Sequence, residues 1–381
     1  MLQTSERPLE KILESYNDQA PLAEALTIPA PFYVDPRIVD LEARTVFSRS
    51  WQVIGRTDQV EKPGDFVTFT VAGEPVVAVR GNDGVLRAFY NVCRHHAAGV
   101  VTEACGSAQI LHCPYHGWNY GLDGSLKGMP EFDGVRNFDR ASNGLVPVKV
   151  ETWEKFVFVN LDPAAAPLEQ FLGGIVKRVA PLGVSKLHYF ASRSYDIACN
   201  WKVFVDNYLD GGYHVPHLHK GLSSVLDYKQ YTIENEDRYC LQSSPMVAST
   251  EDAATGATRT GDRAYYFWQY PNFMINCYEG YMDTNLVLPV DVDHCRVIFD
   301  FYFADVESEA AKKYNEQSIA VGDRVQDEDL GICEAVQRGL KSRAYGAGRL
   351  SVRREAGEHL FHRLLTADLK HGVGQSAVAA D

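Results

Sequence analysis

Two short stretches set a cysteine beside a histidine: NVCRHH at 91–96 and HCPYHGW at 112–118. Cys93 and His95 read C-x-H, and Cys113 and His116 read C-x2-H. Each loop offers one thiolate and one imidazole. A [2Fe–2S] centre with two Cys on one iron and two His on the other needs that mixture. A structural zinc site uses the same donor types, although zinc fingers usually place a Cys pair first and a His pair later. The remaining reading is four unconnected core residues. The matched order of ligand types in the two loops argues against it. Pro114, Gly117 and Gly121 are turn formers that hold such a loop in one shape.

The two loops resemble the cluster loops of Rieske non-haem iron oxygenases. Three longer stretches, CNWKVFVDNYLDGGYHVPHLHK (199–220), YPNFMINCYEGYMDTNLVLP (270–289) and DRVQDEDLGICEAVQRGLKSRAY (323–345), resemble the choline-monooxygenase-like branch of that family. The similar stretches span most of residues 50–365. The resemblance implies a Rieske [2Fe–2S] cluster held by Cys93, His95, Cys113 and His116, and a second, mononuclear Fe(II).

Such an iron is held by two His and one carboxylate on one face, with positions left open. YHVPHLHK supplies His214, His217 and His219 beside the Gly211-Gly212 break. The family spacing H-x4-H selects His214 and His219, with His217 as the alternative and otherwise a pocket-lining residue. The carboxylate follows from periodicity as well as from resemblance. In a long helix predicted over about 307–343, Val325, Ile332, Val336 and Leu340 form an apolar stripe that contains Asp329. Asp327 points away and Glu328 sits at the edge. A carboxylate facing the core must be paired or bound to metal; an acid bonded to a nearby Arg is the other reading of Asp329. In the family, an acid ahead of the first His bonds that ligand and a cluster His, orienting both rings. Asp210, following Asn207, matches best, with Asp206 as the alternative. Many relatives carry this acid three residues before the first His, where this chain has Gly211. His96 replaces the Arg of ring-hydroxylating relatives and is read as a neighbour of the cluster ligands or as a surface His.

A quaternary ammonium is held by aromatic faces. Phe204, Tyr208, Tyr266, Trp268, Tyr270, Tyr278 and Tyr281 are the candidates, with Asn276, Glu279 and Asp283 supplying polarity. An aromatic-rich strand also makes an ordinary core, and the same pocket suits a neutral ring.

The elements that must place these residues are legible in outline. FVTFTV, EPVVAVR, VLRAFYNV and WEKFVFVNLDP read as strands separated by glycine turns. They predict a Rieske β domain over 48–162 with the cluster loops at its tip. Trp201, Phe204, Val205 and Tyr208 are spaced as one helical face. AYYFWQY, TNLVLPV and CRVIFDFYFA read as strands. The fold class is therefore α+β, and the resemblance makes residues 1–47 and 163–381 a catalytic domain of the helix-grip kind, an antiparallel sheet with helices over it. The tail KHGVGQSAVAAD is predicted to be loose.

The chain has 381 residues and a net charge of −13, which argues against a nucleic-acid or anionic-membrane partner. No apolar run reaches membrane-span length, and the N-terminus lacks the basic and apolar regions of a secretory signal. Of the eight Cys, the six outside the two loops, Cys105, Cys199, Cys240, Cys277, Cys295 and Cys333, show no pairing pattern, which suits the reducing cytoplasm. The expected function is the terminal oxygenase of a Rieske system: O2-dependent hydroxylation, by monooxygenation or N-demethylation, of a quaternary amine such as choline or a betaine. The resemblance implies electrons from a flavin or iron–sulfur reductase or a ferredoxin, and a homotrimer. An aromatic-ring or aromatic-acid oxygenase is the enzymatic rival. A Rieske electron carrier is the non-enzymatic one, and it leaves the second triad unexplained.

Overall fold

A computed structural model describes residues 7–248 and 252–378, with no description of side chains beyond residue 374. The chain forms two compact units, one of residues 43–171 and one of residues 1–42 with 172–381. No described helix is long and apolar enough to cross a membrane.

The smaller unit is a seven-stranded antiparallel sheet beside a three-stranded one. Asp65–Val71 and Glu74–Arg80 pair through a tight turn. Ala72 and Gly73 both take positive φ there, the geometry a two-residue hairpin demands. Leu86–Tyr90 extends the sheet after a second turn at Gly84. The small sheet, Leu111–His112, Asn119–Tyr120 and Leu126–Gly128, frames the second Cys/His loop. Phe66, Val77, Phe89, Trp118 and Tyr120 bury the base of both loops together with Cys93 and Cys113.

Among the described residues, the larger unit is built on seven antiparallel strands. Its centre comprises Tyr281–Pro289, Phe273–Tyr278 and Arg263–Gln269, whose residues alternate between the two sheet faces. Four strands were not recognised in the sequence: His188–Ile197, Thr232–Glu236, Tyr239–Pro245 and Phe273–Tyr278. The first two are the sheet edges and carry charged or exposed positions, as edges do. The third buries Gln242, Ser243 and Ser244, which hides its hydrophobic pattern.

Three helices matter for the site. Trp201–Leu209 starts at Asn200, whose side chain accepts from the Lys202 N–H. Lys202 is fully buried and pairs with Glu42 at 2.6 Å, while Trp201 donates to the same carboxylate. A buried ion pair survives only when its remaining groups are bonded in this way. The helix Glu309–Leu340 starts at the Ser308 cap. Its buried face is Gln326, Asp329, Cys333, Gln337 and Leu340, whereas Ile332 and Val336 are exposed. The apolar stripe predicted through Ile332 and Val336 is thus off the buried face, because polar Gln326 and Gln337 occupy that face instead. The helix Ala356–Val378 runs through residues 370–378, where the tail was expected to be loose; residues 379–381 of that tail, like residues 1–6, lie outside the described residues.

Candidate active site

The two Cys/His loops are near-copies in backbone terms. The Ala97 N–H donates to Cys93 O and the Gly117 N–H to Cys113 O. Each turn closes on a left-handed residue, Ala97 at φ 59° and Gly117 at φ 73°. Two further bonds, Cys93 N–H to Ala98 O and Cys113 N–H to Trp118 O, complete the pair. The thiols lie inside, 3% and 2% exposed, while His116 is exposed and His95 half-buried. The His95 and His116 rings stand 4.7 Å apart, and His95 stacks on Trp118. The buried Nδ1 of His95 has no hydrogen-bond partner, as a nitrogen reserved for a metal would not. Tyr120 fixes the other side: its hydroxyl contacts Cys93 Sγ at 3.4 Å and accepts from the Arg94 N–H. His96 is exposed and touches the His95 ring edge-on at 4.2 Å.

The second site begins where the helix Trp201–Leu209 stops. Asp210 caps it, and Gly211 and Gly212 both take φ 66° to reverse the chain. A Cβ on Gly211 would sit 2.1 Å from the Arg354 carbonyl oxygen, so only glycine fits. The Asp210 carboxylate accepts from the Tyr213 and His214 N–H groups. A short turn, Val215–Leu218, then delivers His219.

His214, His219 and Asp329 present donor atoms that all lie within 4.8 Å of one another. Each imidazole has a carboxylate behind it. His214 Nδ1 meets Asp210 at 2.6 Å, and His219 Nδ1 meets Glu328 at 2.6 Å. Nδ1–H donation to those carboxylates leaves both Nε2 atoms facing Asp329 Oδ1, at 3.8 and 3.1 Å. This is the arrangement that holds and orients metal-ligating histidines. Asn207 Nδ2 donates to the same Asp329 oxygen at 2.8 Å. His217 is exposed and outside the group. Asp206, the alternative to Asp210, bonds Tyr33 and His362 instead. Glu328 was read in the sequence only as an edge residue. Its place next to Asp329 on a helix opposite two His was the available signal.

The triad opens into a cavity of about 150 Å³, well above the ~10–15 Å³ that one water needs. Phe204, Tyr208, Tyr266 and Tyr278 line it, as do Asn276 and Asp283. Tyr208 donates to Asn276 Oδ1, and Asn276 Nδ2 donates to Asp283. Burial pushes the Asp283 carboxyl above the ordinary carboxylate range, against the pull of its Tyr281 and Asn276 hydrogen bonds and of Arg259.

Three aromatic candidates do not line the cavity: Trp268, Tyr270 and Tyr281. Trp268 packs against Phe361 and donates to Pro271 O. Tyr270 lies past the strand end and bonds Asp368. Tyr281 stands behind Tyr278, with its hydroxyl on Asp283. Glu279 is likewise absent from the lining, whereas Arg259 and Tyr231, not singled out in the sequence, belong to it.

Residues 50–139 match the Rieske [2Fe–2S] domain family, and residues 184–370 match the catalytic domain of ring hydroxylating alpha subunits. A chain with both domains belongs to the Rieske non-haem iron oxygenases, whose cofactors are a [2Fe–2S] cluster and a mononuclear iron. Within that family it is similar to the chloroplastic choline monooxygenase of Arabidopsis thaliana, at 39% identity over 95% of this chain and 87% of that one. The carnitine monooxygenase oxygenase subunit of Acinetobacter baumannii is 34% identical over 86% of this chain and 88% of its own. Among solved structures, a quaternary ammonium Rieske monooxygenase, described for carnitine oxidation by gut microbiota and inter-subunit electron transfer, superposes with a TM-score of 0.82. That chain is 32% identical, and the superposition covers 90% of this chain and 95% of that one. The α+β fold, the oxygenase class and the two iron cofactors expected from the sequence agree with these findings.

Proposed function

We propose that this chain is the terminal oxygenase of a Rieske system that hydroxylates a quaternary amine, using electrons from a flavin or iron–sulfur reductase or a ferredoxin. The overall balance is R–H + O2 + 2 e⁻ + 2 H⁺ → R–OH + H2O. When bound, the cluster supplies single electrons and the mononuclear iron supplies oxygen activation. Cys93, His95, Cys113 and His116 hold the cluster, and His214, His219 and Asp329 hold the iron. Asp210 and Glu328 keep the two imidazoles in the Nδ1–H form and aim their Nε2 atoms. Asn207 steadies the Asp329 oxygen that both imidazoles face. Phe204 and the tyrosines exclude water around the substrate. Residues 48–162 form the Rieske domain and residues 1–47 with 163–381 the catalytic domain. The compact units, which break at 42/43 and 171/172, support that division. No cysteine is paired in a disulfide among the described residues, which supports a reducing, cytoplasmic location.

The observation that carries the substrate assignment is the pairing of an aromatic wall with the buried Asp283 in the cavity that the iron triad opens into. A cation satisfies both, through the ring faces and through the carboxylate. The names of the similar proteins point the same way. Reconstituted with a reductase, the enzyme is expected to consume NAD(P)H and O2 in step with product from quaternary amines and to leave benzoate-like acids unchanged. Turnover of an aromatic substrate with every quaternary amine inert would sink the assignment.

The assembly we propose is a homotrimer in which one subunit's cluster serves the neighbour's iron. Support comes from the family likeness and from the inter-subunit transfer reported for the similar carnitine-oxidising enzyme. Co-expression of Cys93→Ala with His214→Ala, each dead alone, should restore part of the activity. Confirmed mixed oligomers without any recovery would count against transfer between subunits.

A further inference from the structure

Asp206, Glu358 and His362 form a second group of metal-ligand type, two carboxylates and one imidazole with donor atoms within 4.8 Å of one another. Asp206 stands on the helix Trp201–Leu209, which also carries Asn207, and the other two stand on the helix Ala356–Val378. By donor type alone the group would suit a second ion.

What lies behind the imidazole decides otherwise. His214 and His219 each turn Nδ1 toward a carboxylate, which keeps the proton there and frees Nε2 for a metal. His362 turns Nδ1 toward the Ile28 backbone N–H, 3.3 Å away. A backbone N–H only donates, so this Nδ1 accepts and the ring proton sits on Nε2. That Nε2–H donates to Asp206 Oδ1 at 3.0 Å. The lone pair that a metal needs on Nε2 is therefore taken by a proton.

Asp206 is well served as an anion, since Tyr33 donates to its other oxygen at 2.6 Å. Glu358 is not. It is 7% exposed, and its Oε1 lies 3.8 Å from a His362 Nε2–H already committed to Asp206. Burial, and then the charges of Asp206, Glu355 and Asp210, push its carboxyl well above the ordinary range. It also faces Tyr16 and Tyr33 of the N-terminal segment, and neither brings a positive charge. A protonated carboxyl is a donor, and Asp206 is an acceptor within 4.8 Å, in reach directly or across one water.

We infer that Asp206 and Glu358 hold one proton between them, and that this proton, in place of a metal ion, locks the N-terminal segment and the helix Ala356–Val378 onto the back of the site helix. Ionising Glu358 sets a second negative charge beside Asp206 in a buried place and loosens the lock. The helix that carries Asn207 and leads to Asp210 is thus held in a pH-dependent way.

The test is thermal unfolding of the intact holoenzyme from about pH 5 to about pH 9, with metal analysis beside it. Glu358→Gln keeps the shape and the donor of a protonated acid and cannot ionise. A carboxyl raised in the folded state stabilises fully below its unfolded value, and that stabilisation is lost as pH rises toward the folded value. Within this window each pH unit should cost the unaltered protein about tenfold in its folding equilibrium relative to Glu358→Gln, because groups common to both cancel. The melting-temperature difference should therefore move steadily in the variant's favour. In an Asp206→Asn background the same comparison should give a smaller slope, since the opposing charge is gone. Parallel curves for the unaltered protein and Glu358→Gln overturn the shared proton. Metal analysis of the unaltered protein stands even if a variant fails to fold. Three irons per chain and no further ion are expected, and a fourth stoichiometric ion that Asp206→Asn removes overturns the inference in favour of a metal site.

Discussion

Alanine at His214 is expected to give a protein that keeps its [2Fe–2S] cluster and loses its mononuclear iron and its oxygenase activity. The imidazole it removes is one of three donors within 4.8 Å, and the two that remain hold a divalent ion poorly. Loss of a group that merely orients a ligand costs about 10–100-fold, so loss of the ligand itself should reduce turnover by about 1,000-fold or more. The same holds for His219→Ala and Asp329→Ala. Iron analysis should fall from three to two per chain, while the rhombic EPR signal of the reduced cluster stays unchanged, because the cluster loops belong to the other compact unit. Full activity in His219→Ala combined with its loss in His217→Ala would show that the ligand assignment is wrong.

The second large effect comes from a backbone position. Gly211→Ala should abolish iron binding at the triad or prevent folding. Two costs combine. The left-handed φ of 66° costs an L-residue about 1–2 kcal/mol. The new Cβ would also press on the Arg354 carbonyl oxygen at 2.1 Å and on Ile233 at 2.5 Å, and a backbone carbonyl does not yield as a flexible side chain does. Relief requires moving the turn that connects Asp210 to His214. Gly280→Ala is the control. It has nearly the same φ, 68°, but its Cβ would meet only Ala304 at 3.8 Å. It should cost about 1–2 kcal/mol and keep its iron. Melting temperature and iron content read both variants. Equal behaviour of the two would mean that the turn after Asp210 tolerates movement and does not set the His214 position.

The fixed turn also explains the part played by Asp210. Three contacts, two from backbone N–H groups and one to His214 Nδ1, commit its carboxylate to the first imidazole. Asp206, one helical turn earlier, faces the other way, into Tyr33 and His362. Both acids were candidates in the sequence. The glycine inserted after Asp210 displaces the acid from its usual spacing, but the left-handed pair Gly211-Gly212 folds the chain back so that the carboxylate still reaches the ring.

What the sequence determined by itself is the chemistry that depends on local spacing. Cys93, His95, Cys113 and His116 sit on two turns of a few residues each, and His214 and His219 on one. Within so short a span, residue type and separation leave few arrangements open. Asp329 was legible from helical periodicity because a carboxylate on a buried face needs a partner. The stripe used to find it was nevertheless misplaced, since the face that is buried carries Gln326 and Gln337 while Ile332 and Val336 face outward. The tertiary structure alone decided what depends on which side of an element is covered. Trp268 belongs under Phe361 and Tyr281 behind Tyr278, although both lie in the aromatic-rich run that builds the cavity. Glu328 faces His219 only because the long helix lies against the turn after Gly212. Arg259, not singled out in the sequence, joins the cavity lining with its guanidinium bonded to Ser318 on the long helix. A sequence records that a charge is present, whereas the groups it meets are a property of the packed chain.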